Sequence, residues 1–98
     1  MDRLMIRYRV KPDQLGRHLG LLRAVYAELA AIRPDGLRFA TLRLPDQLSF
    51  VDIAVGADLP GPLPQLQAFR DFRADLEQRC DERSVTEFVE VGSFGWKN

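Results

Sequence analysis

The histidine at position 18 is the residue best suited to acid–base chemistry near neutral pH. It lies between Leu15, Leu22 and Val25 at helical spacing, so it belongs to the apolar side of a predicted helix. An imidazole titrates near neutrality and can accept the proton of a phenolic substrate. The sequence therefore offers His18 as a catalytic base. The alternative is a partly buried histidine that is hydrogen-bonded near the helix start.

Tyr8 and Tyr26 both lie on predicted core-facing stripes. A buried phenol needs a hydrogen-bond partner, and in a pocket that partner could be a hydroxyl group of the substrate. We therefore predict Tyr26 as a second catalytic residue and Tyr8 as a substrate-binding residue. The alternative for both is core packing with the hydroxyl group reaching the surface.

Three aromatic residues and one arginine complete the candidate site. Phe69, Phe72 and Trp96 could form an aromatic wall, and ordinary core packing is the alternative. Arg73 falls within the apolar arc of the second predicted helix. A guanidinium group there must extend to solvent, pair with a carboxylate or bind an anionic ligand. We predict that all four residues bind substrate.

Cys80 is the single cysteine, so no internal disulfide can form. No other cysteine or histidine stands near it at metal-ligand spacing, and we predict no metal site. A free thiol favours a cytoplasmic location. The sequence contains no continuous apolar run of membrane-spanning length, and its first residues predict a strand where a signal peptide would need an apolar run. We therefore expect no signal peptide and no membrane partner.

The charge balance excludes one class of function. The 98 residues include 14 Lys and Arg and 14 Asp and Glu, for a formal net charge of zero. Nucleic-acid binding depends on an excess of basic residues, so we predict no nucleic-acid partner. A neutral chain also meets no long-range repulsion from a second copy. The length fits one domain, residues 1–98.

The positions of these residues depend on six predicted elements. Apolar residues alternate in 3–10, 37–44, 49–55 and 84–91, which predicts strands. Apolar stripes at helical spacing predict helices over 15–32 and 64–80. The order is βαββαβ, which predicts an α+β, ferredoxin-like sandwich with antiparallel strand order 4-1-3-2 and both helices on one face.

The predicted order leaves one sheet face without a cover. We expect Arg7 and Arg9 on that face, with Asp52 beside them on one side and Glu87 or Glu90 on the other. An uncovered, partly apolar face favours a partner. We therefore predict that a second copy docks there.

Four segments resemble the antibiotic biosynthesis monooxygenase family of the dimeric α/β-barrel superfamily. They are residues 4–12, 36–39, 49–52 and 68–72. The resemblance implies a homodimer whose two sheets form a barrel, with a pocket between helices and sheet in each subunit. Members of the family oxygenate polycyclic aromatics or quinols without a metal or flavin cofactor.

One branch of that family opens haem, using an Asn on strand one, a Trp near strand three and a His on helix two. This sequence has Asn98, Trp96 and His18 in other places. The resemblance therefore carries over no catalytic residue and disfavours haem degradation. The function expected is cofactor-independent monooxygenation of a small aromatic or quinol compound. The alternative is a non-catalytic small-molecule-binding or assembly module of the same fold.

Overall fold

The elements that position the candidate site alternate between strands and helices. The computed structural model describes residues 1–96. The elements are β1 (Asp2–Val10), α1 (Leu15–Ile32), β2 (Arg38–Arg43), β3 (Ser49–Gly56), α2 (Gln67–Ala74), α3 (Leu76–Arg79) and β4 (Cys80–Glu87). Short 3₁₀ turns at Pro12–Gln14 and Leu63–Gln65 precede α1 and α2.

The four strands form one sheet in the order β2-β3-β1-β4, with every neighbouring pair antiparallel. This is the predicted order 4-1-3-2, and the α+β fold class is confirmed. Tyr8 and Val10 of β1, Phe50 of β3 and Leu22 and Val25 of α1 are buried in one core cluster. The helices therefore cover a single face of the sheet.

Helix α1 begins after proline and ends at a left-handed residue. Arg33 has φ 52° and ψ 60°, and its amide donates a hydrogen bond to the carbonyl of Leu29. This left-handed residue and its hydrogen bond close the helix. No helix in residues 1–96 is both long and apolar enough to cross a membrane.

The second predicted helix, over 64–80, is wrong as a single element. The chain forms a 3₁₀ turn, then α2, and then leaves helical geometry at Asp75 (φ −131°) before the short α3. The carboxylate of Asp75 pairs with Arg79 of α3 and, at 2.6 Å, with Arg17 of α1. The break changes the helical phase, so Arg79 is fully buried although the continuous pattern places it off the apolar face.

The fourth strand lies four residues earlier than the predicted 84–91. Cys80 pairs with Val10, Glu87 pairs with Leu4, and the amide of Phe88 donates a last hydrogen bond to the carbonyl of Arg3. Strand β1 starts at Asp2, so beyond Arg3 it has only one more residue with which β4 could pair. Residues 89–91 continue the apolar alternation without a partner strand.

The predicted charge pairs on the uncovered face are also wrong. Arg7 lies opposite Val51 and Ser84, whereas Asp52 lies opposite Ile6, on the helix-covered face. Glu87 lies opposite Leu4, on that same covered face. Glu90 follows the end of β4. A shift of one residue in strand phase moves a side chain to the other face, and β3 has the phase opposite to the predicted one.

Two glycines provide a test of the packing. A Cβ atom at Gly20 inside α1 would meet nothing within 4 Å, whereas one at Gly56 would lie 3.2 Å from Leu59 Cδ2 and 3.3 Å from the carbonyl oxygen of Gly36. We expect Gly20→Ala to raise the free energy of unfolding by about 1 kcal/mol, because alanine is the better helix former. Gly56→Ala should lower it. Urea unfolding of both variants measures the difference, and a loss of stability in Gly20→Ala would contradict the packing described for α1.

Candidate functional site

A cavity of about 470 Å³ lies between the covered sheet face and the segment that contains α2. Its wall is largely apolar and carries four aromatic rings, from Tyr8, Phe39, Phe69 and Phe72. Pockets that hold small organic ligands have this size and character. The charged residues among those that line it are Asp52, Arg70, Arg73 and Arg83.

Asp52 is the one acidic residue in this lining. Its side chain is 4% exposed. Tyr8 donates a hydrogen bond to Oδ1 at 3.3 Å and Thr41 donates another to the same oxygen at 2.8 Å. No hydrogen bond from residues 1–96 ends on Oδ2, and no fully buried side-chain oxygen in this part of the chain lacks a partner. The second carboxylate oxygen is therefore left accessible from the cavity.

A hydrogen-bonded chain reaches Asp52 from α1 and α3. The Nε–H of Arg79 donates to Nδ1 of His18 at 3.3 Å, so Nδ1 is the unprotonated nitrogen. The neutral imidazole then carries its hydrogen on Nε2, which lies 3.1 Å from the hydroxyl oxygen of Tyr8. Tyr8 accepts there and donates to Asp52. The direction of every hydrogen bond in this chain is fixed by the guanidinium group, which can only donate.

A second hydrogen-bonded chain reaches the same carboxylate oxygen from the other side. The hydroxyl groups of Tyr26 and Thr41 are 2.7 Å apart. Because Thr41 uses its hydrogen for Asp52, Tyr26 donates to Thr41. Both chains therefore end on Oδ1 of Asp52.

The buried guanidinium group of Arg79 has partners on several elements. It donates to the carbonyl oxygen of Phe72 at 2.6 Å, bonds to Asp75 and lies 5.2 Å from the centre of the Phe72 ring. These contacts compensate the loss of water around a charge that is fully buried. They also hold the donor that fixes the tautomer of His18.

Burial moves the pKa values of this network in opposite directions. Loss of hydration raises the pKa of Asp52 to about 6, against the hydrogen bonds from Thr41 and Tyr8, which lower it. Burial and the neighbouring Arg79 lower the pKa of His18 to about 4. Burial also raises the pKa of Tyr8 far above its usual value and that of Tyr26 to about 12. At neutral pH Asp52 is thus mostly ionised and His18 is neutral.

The structure brings four of the predicted site residues together. Tyr8, Phe69, Phe72 and Arg73 line the cavity. His18 is fully buried behind Tyr8, and Tyr26 lies beside a separate, more open groove under the C-terminal half of α1. Trp96 is 82% exposed and is not among the lining residues.

Asp52 is the residue that the sequence reasoning assigned to the wrong face. An isolated acid within the apolar strand 49–55 was the available signal, because a carboxylate in a strand that is apolar on both sides requires a reason. Among residues 1–96, no three His, Cys, Asp or Glu side chains converge as a metal-ligand set.

Comparison with solved structures gives close agreement in fold. Rv0793 from Mycobacterium tuberculosis has a TM-score of 0.71 at 18% identity, over 93% of this chain and 95% of its own. A candidate antibiotic biosynthesis monooxygenase from Nitrosomonas europaea has 0.71 at 16%, over 95% and 92%. Another from Bacteroides thetaiotaomicron has 0.79 at 11%, over 99% and 94%.

The chain has the fold of the antibiotic biosynthesis monooxygenases. The resemblance noted in four sequence segments is confirmed at this level. No protein-family model matches the sequence, and no curated protein matches it. At these identities the agreement concerns the backbone, and the chemistry has to be argued from the cavity itself.

The two shifted pKa values predict opposing effects of pH on stability. The pKa of His18 falls from 6.5 to about 4 on folding, so its contribution to stability is complete above pH 6.5 and is lost as the pH falls toward 4. The pKa of Asp52 rises from 3.8 to about 6, so its contribution is complete below pH 3.8 and is lost as the pH rises through 6. Between pH 4 and 6 the two effects oppose each other.

Asp52→Asn should expose the histidine effect, because asparagine keeps an oxygen that can accept from Tyr8 and Thr41. We expect its free energy of unfolding, relative to the wild type, to rise by roughly 2–3 kcal/mol between pH 4 and pH 7, since a pKa difference of one is worth about 1.4 kcal/mol. His18→Gln should show the opposite trend. Urea unfolding at several pH values measures both, and parallel curves for wild type and Asp52→Asn would contradict the assigned pKa values.

Proposed function

We propose that the cavity binds a small aromatic phenol or quinol and that the protein catalyses its monooxygenation without a metal or flavin. The observation that carries this proposal is the position of Asp52, a carboxylate with one accessible oxygen on the wall of an apolar, aromatic-lined cavity. The fold shared with the candidate monooxygenases from Nitrosomonas europaea and Bacteroides thetaiotaomicron supports the same reaction class.

Asp52 is the proposed base. A carboxylate whose pKa is raised toward neutrality accepts a proton more readily than an ordinary one and is still mostly ionised at pH 7. The aromatic wall would hold the substrate ring, and the low polarity of the cavity strengthens each interaction with the charge that develops.

The reaction balances with molecular oxygen alone. Removing a proton from a phenolic substrate with an adjacent CH₂ group gives an electron-rich anion that can reduce O₂. One oxygen atom forms the new bond to carbon and the other leaves as water, so CH₂ and O₂ become C=O and H₂O. The substrate supplies all four electrons. Asp52 returns the first proton to the departing oxygen, one CH₂ hydrogen completes the water as the C=O bond forms, and the other CH₂ hydrogen leaves as a proton that restores the phenol.

His18 and Tyr26 act in this proposal as positioning residues. Each reaches Asp52 through another hydroxyl group, His18 through Tyr8 and Tyr26 through Thr41. They orient Oδ1 and leave Oδ2 for the substrate. The sequence analysis predicts His18 itself as the base. Here Nε2 of His18 carries a hydrogen and faces Tyr8, so the imidazole would need the other tautomer to accept a proton on that side.

Oxygen uptake tests the proposal. We expect aerobic turnover of at least one member of a hydroquinone and anthrone panel, with a rate that rises with pH around a midpoint near 6 as Asp52 ionises. Asp52→Asn should lower the rate at least a hundredfold, the usual contribution of a general base. Asp35→Asn, a change in the exposed turn after α1, should leave it unchanged. Full activity in Asp52→Asn would refute the base assignment.

A non-catalytic binding module is the second candidate function. The hydrogen bonds of Tyr8, Thr41 and His18 are all used within the protein, as a purely structural network would require. Saturable thermal stabilisation by an aromatic ligand without oxygen uptake from any substrate of the panel would favour this function. Oxygen uptake that persists in a chelator and without bound flavin would favour the oxygenase.

We also propose that two copies associate through the sheet face that the helices leave open. The strand register places six apolar residues on that face, and Leu42 is 52% exposed. They are Met5, Ala40, Leu42, Val51, Ile53 and Val55. Contiguous exposed apolar patches are typical of association surfaces. A small domain also gains stability from the added burial.

Leu42→Lys should weaken the dimer at least tenfold, because it removes apolar area from both copies and adds a charge to each. Ile32→Lys, at a 56% exposed position of α1, is the matched control and should leave the dimer intact. Sedimentation equilibrium measures both dissociation constants. A wild-type chain that sediments as a monomer at every concentration would overturn the proposed interface.

A cytoplasmic location is the last part of the proposal. Cys80 is free and buried at the start of β4, and burial raises the pKa of its thiol. A reducing compartment keeps such a thiol unmodified. Fractionation of the native host tests the location directly.

A further inference from the structure

Three arginines line the cavity, and they differ in whether their side chains are hydrogen-bonded within residues 1–96. Arg70 donates to the carbonyl oxygen of Pro64 at 2.7 Å and to Gln67 at 2.8 Å. Arg73 and Arg83 also line the cavity, and the side chain of neither makes a hydrogen bond or an ion pair with any residue in 1–96. The cavity therefore has two guanidinium groups whose donors are available to a ligand.

The local charge differs from that of the whole chain. Three arginines and one aspartate line the cavity, although the chain as a whole is neutral. Arg83 acts electrostatically on Asp52 and favours its ionised form. The positive excess thus remains when Asp52 is charged, and it surrounds an otherwise apolar space.

The strand geometry explains why Arg83 faces this cavity. Val85 lies opposite Ile6 on the covered face, and Arg83, two residues earlier, points to the same side. Arg83 lies three positions after Cys80, an offset that would place the two on opposite faces of a regular strand. A bulge in β4, with Glu82 at φ 56°, leaves both on the covered face. Bulges commonly redirect a side chain in this way.

The two free guanidinium groups lie at a common boundary. Arg73 of α2 and Arg83 of β4 line both the large cavity and a smaller depression of about 280 Å³ beside it, which Glu77 also lines. Arginine binds carboxylates through two parallel hydrogen bonds. A planar anionic group at this boundary would reach both residues while an attached ring occupied the aromatic wall.

We propose that the ligand of this cavity is an aromatic acid, with its rings against Phe69 and Phe72 and its carboxylate between Arg73 and Arg83. The inference deepens the proposed function by naming the substrate class of the oxygenase. Binding of the acid can be measured whether or not the protein turns it over.

Binding of two matched probes tests the inference. Naphthalene-2-carboxylate and naphthalene-2-carboxamide have the same shape and differ in charge. We expect titration calorimetry at pH 7.5 and low salt to show at least tenfold tighter binding of the carboxylate. Arg73→Gln and Arg83→Gln should each remove most of that preference. Arg23→Gln, an exposed position of α1 outside the cavity lining, should retain it.

The outcomes separate this inference from the oxygenase proposal. Equal affinity for the two probes, no binding of either, or a preference unchanged in both arginine variants would overturn the aromatic-acid site. A clear preference for the carboxylate, without oxygen uptake from any phenolic aromatic acid or any member of the hydroquinone and anthrone panel, would establish the site and remove the oxygenase. Asp52→Asn should bind the carboxylate at least as tightly as the wild type, because it removes a like charge, while losing turnover.

Discussion

The convergence of two hydrogen-bonded chains on one carboxylate oxygen of Asp52 governs the arrangement of this domain. One chain starts at the buried guanidinium of Arg79 and passes through His18 and Tyr8. The other starts at Tyr26 and passes through Thr41. Together they join α1, α3, β1, β2 and β3. The Asp52 carboxylate, which is costly to bury, is thus held at Oδ1 by two fixed donors, and Oδ2 is left accessible from the cavity.

The break in the second predicted helix positions Arg79, the first residue of that network. A continuous helix over 64–80 would place Arg79 away from the core, whereas the break at Asp75 turns it inward beneath Phe72. The cavity lies next to this break, because Phe72 and Arg73 before it and Leu76 after it are among the lining residues. The end of α2 therefore contributes both to the buried cation and to the wall of the cavity.

Element types and strand order follow from the sequence because period-two and helical stripes are strong over 3–10 and 15–32. The sheet face on which Asp52 lies does not follow from the sequence. Strand β3 is apolar on both sides, with Phe50 and Ala54 on one and Val51 and Ile53 on the other, so its pattern cannot tell which face is covered. Pairing with β1 decides it. Pairing with β1 likewise ends β4 at Glu87, although the apolar alternation continues beyond it.

Helix α1 carries both His18 and Tyr26, eight residues or about 12 Å apart along its axis. Each side chain is one hydroxyl group away from the same oxygen of Asp52. A change in the protonation of Asp52 therefore alters the hydrogen bonds of two side chains on the same helix. Ring signals from these two residues would change together, so α1 can serve as an internal spectroscopic reporter of the charge state of a carboxylate that it does not touch.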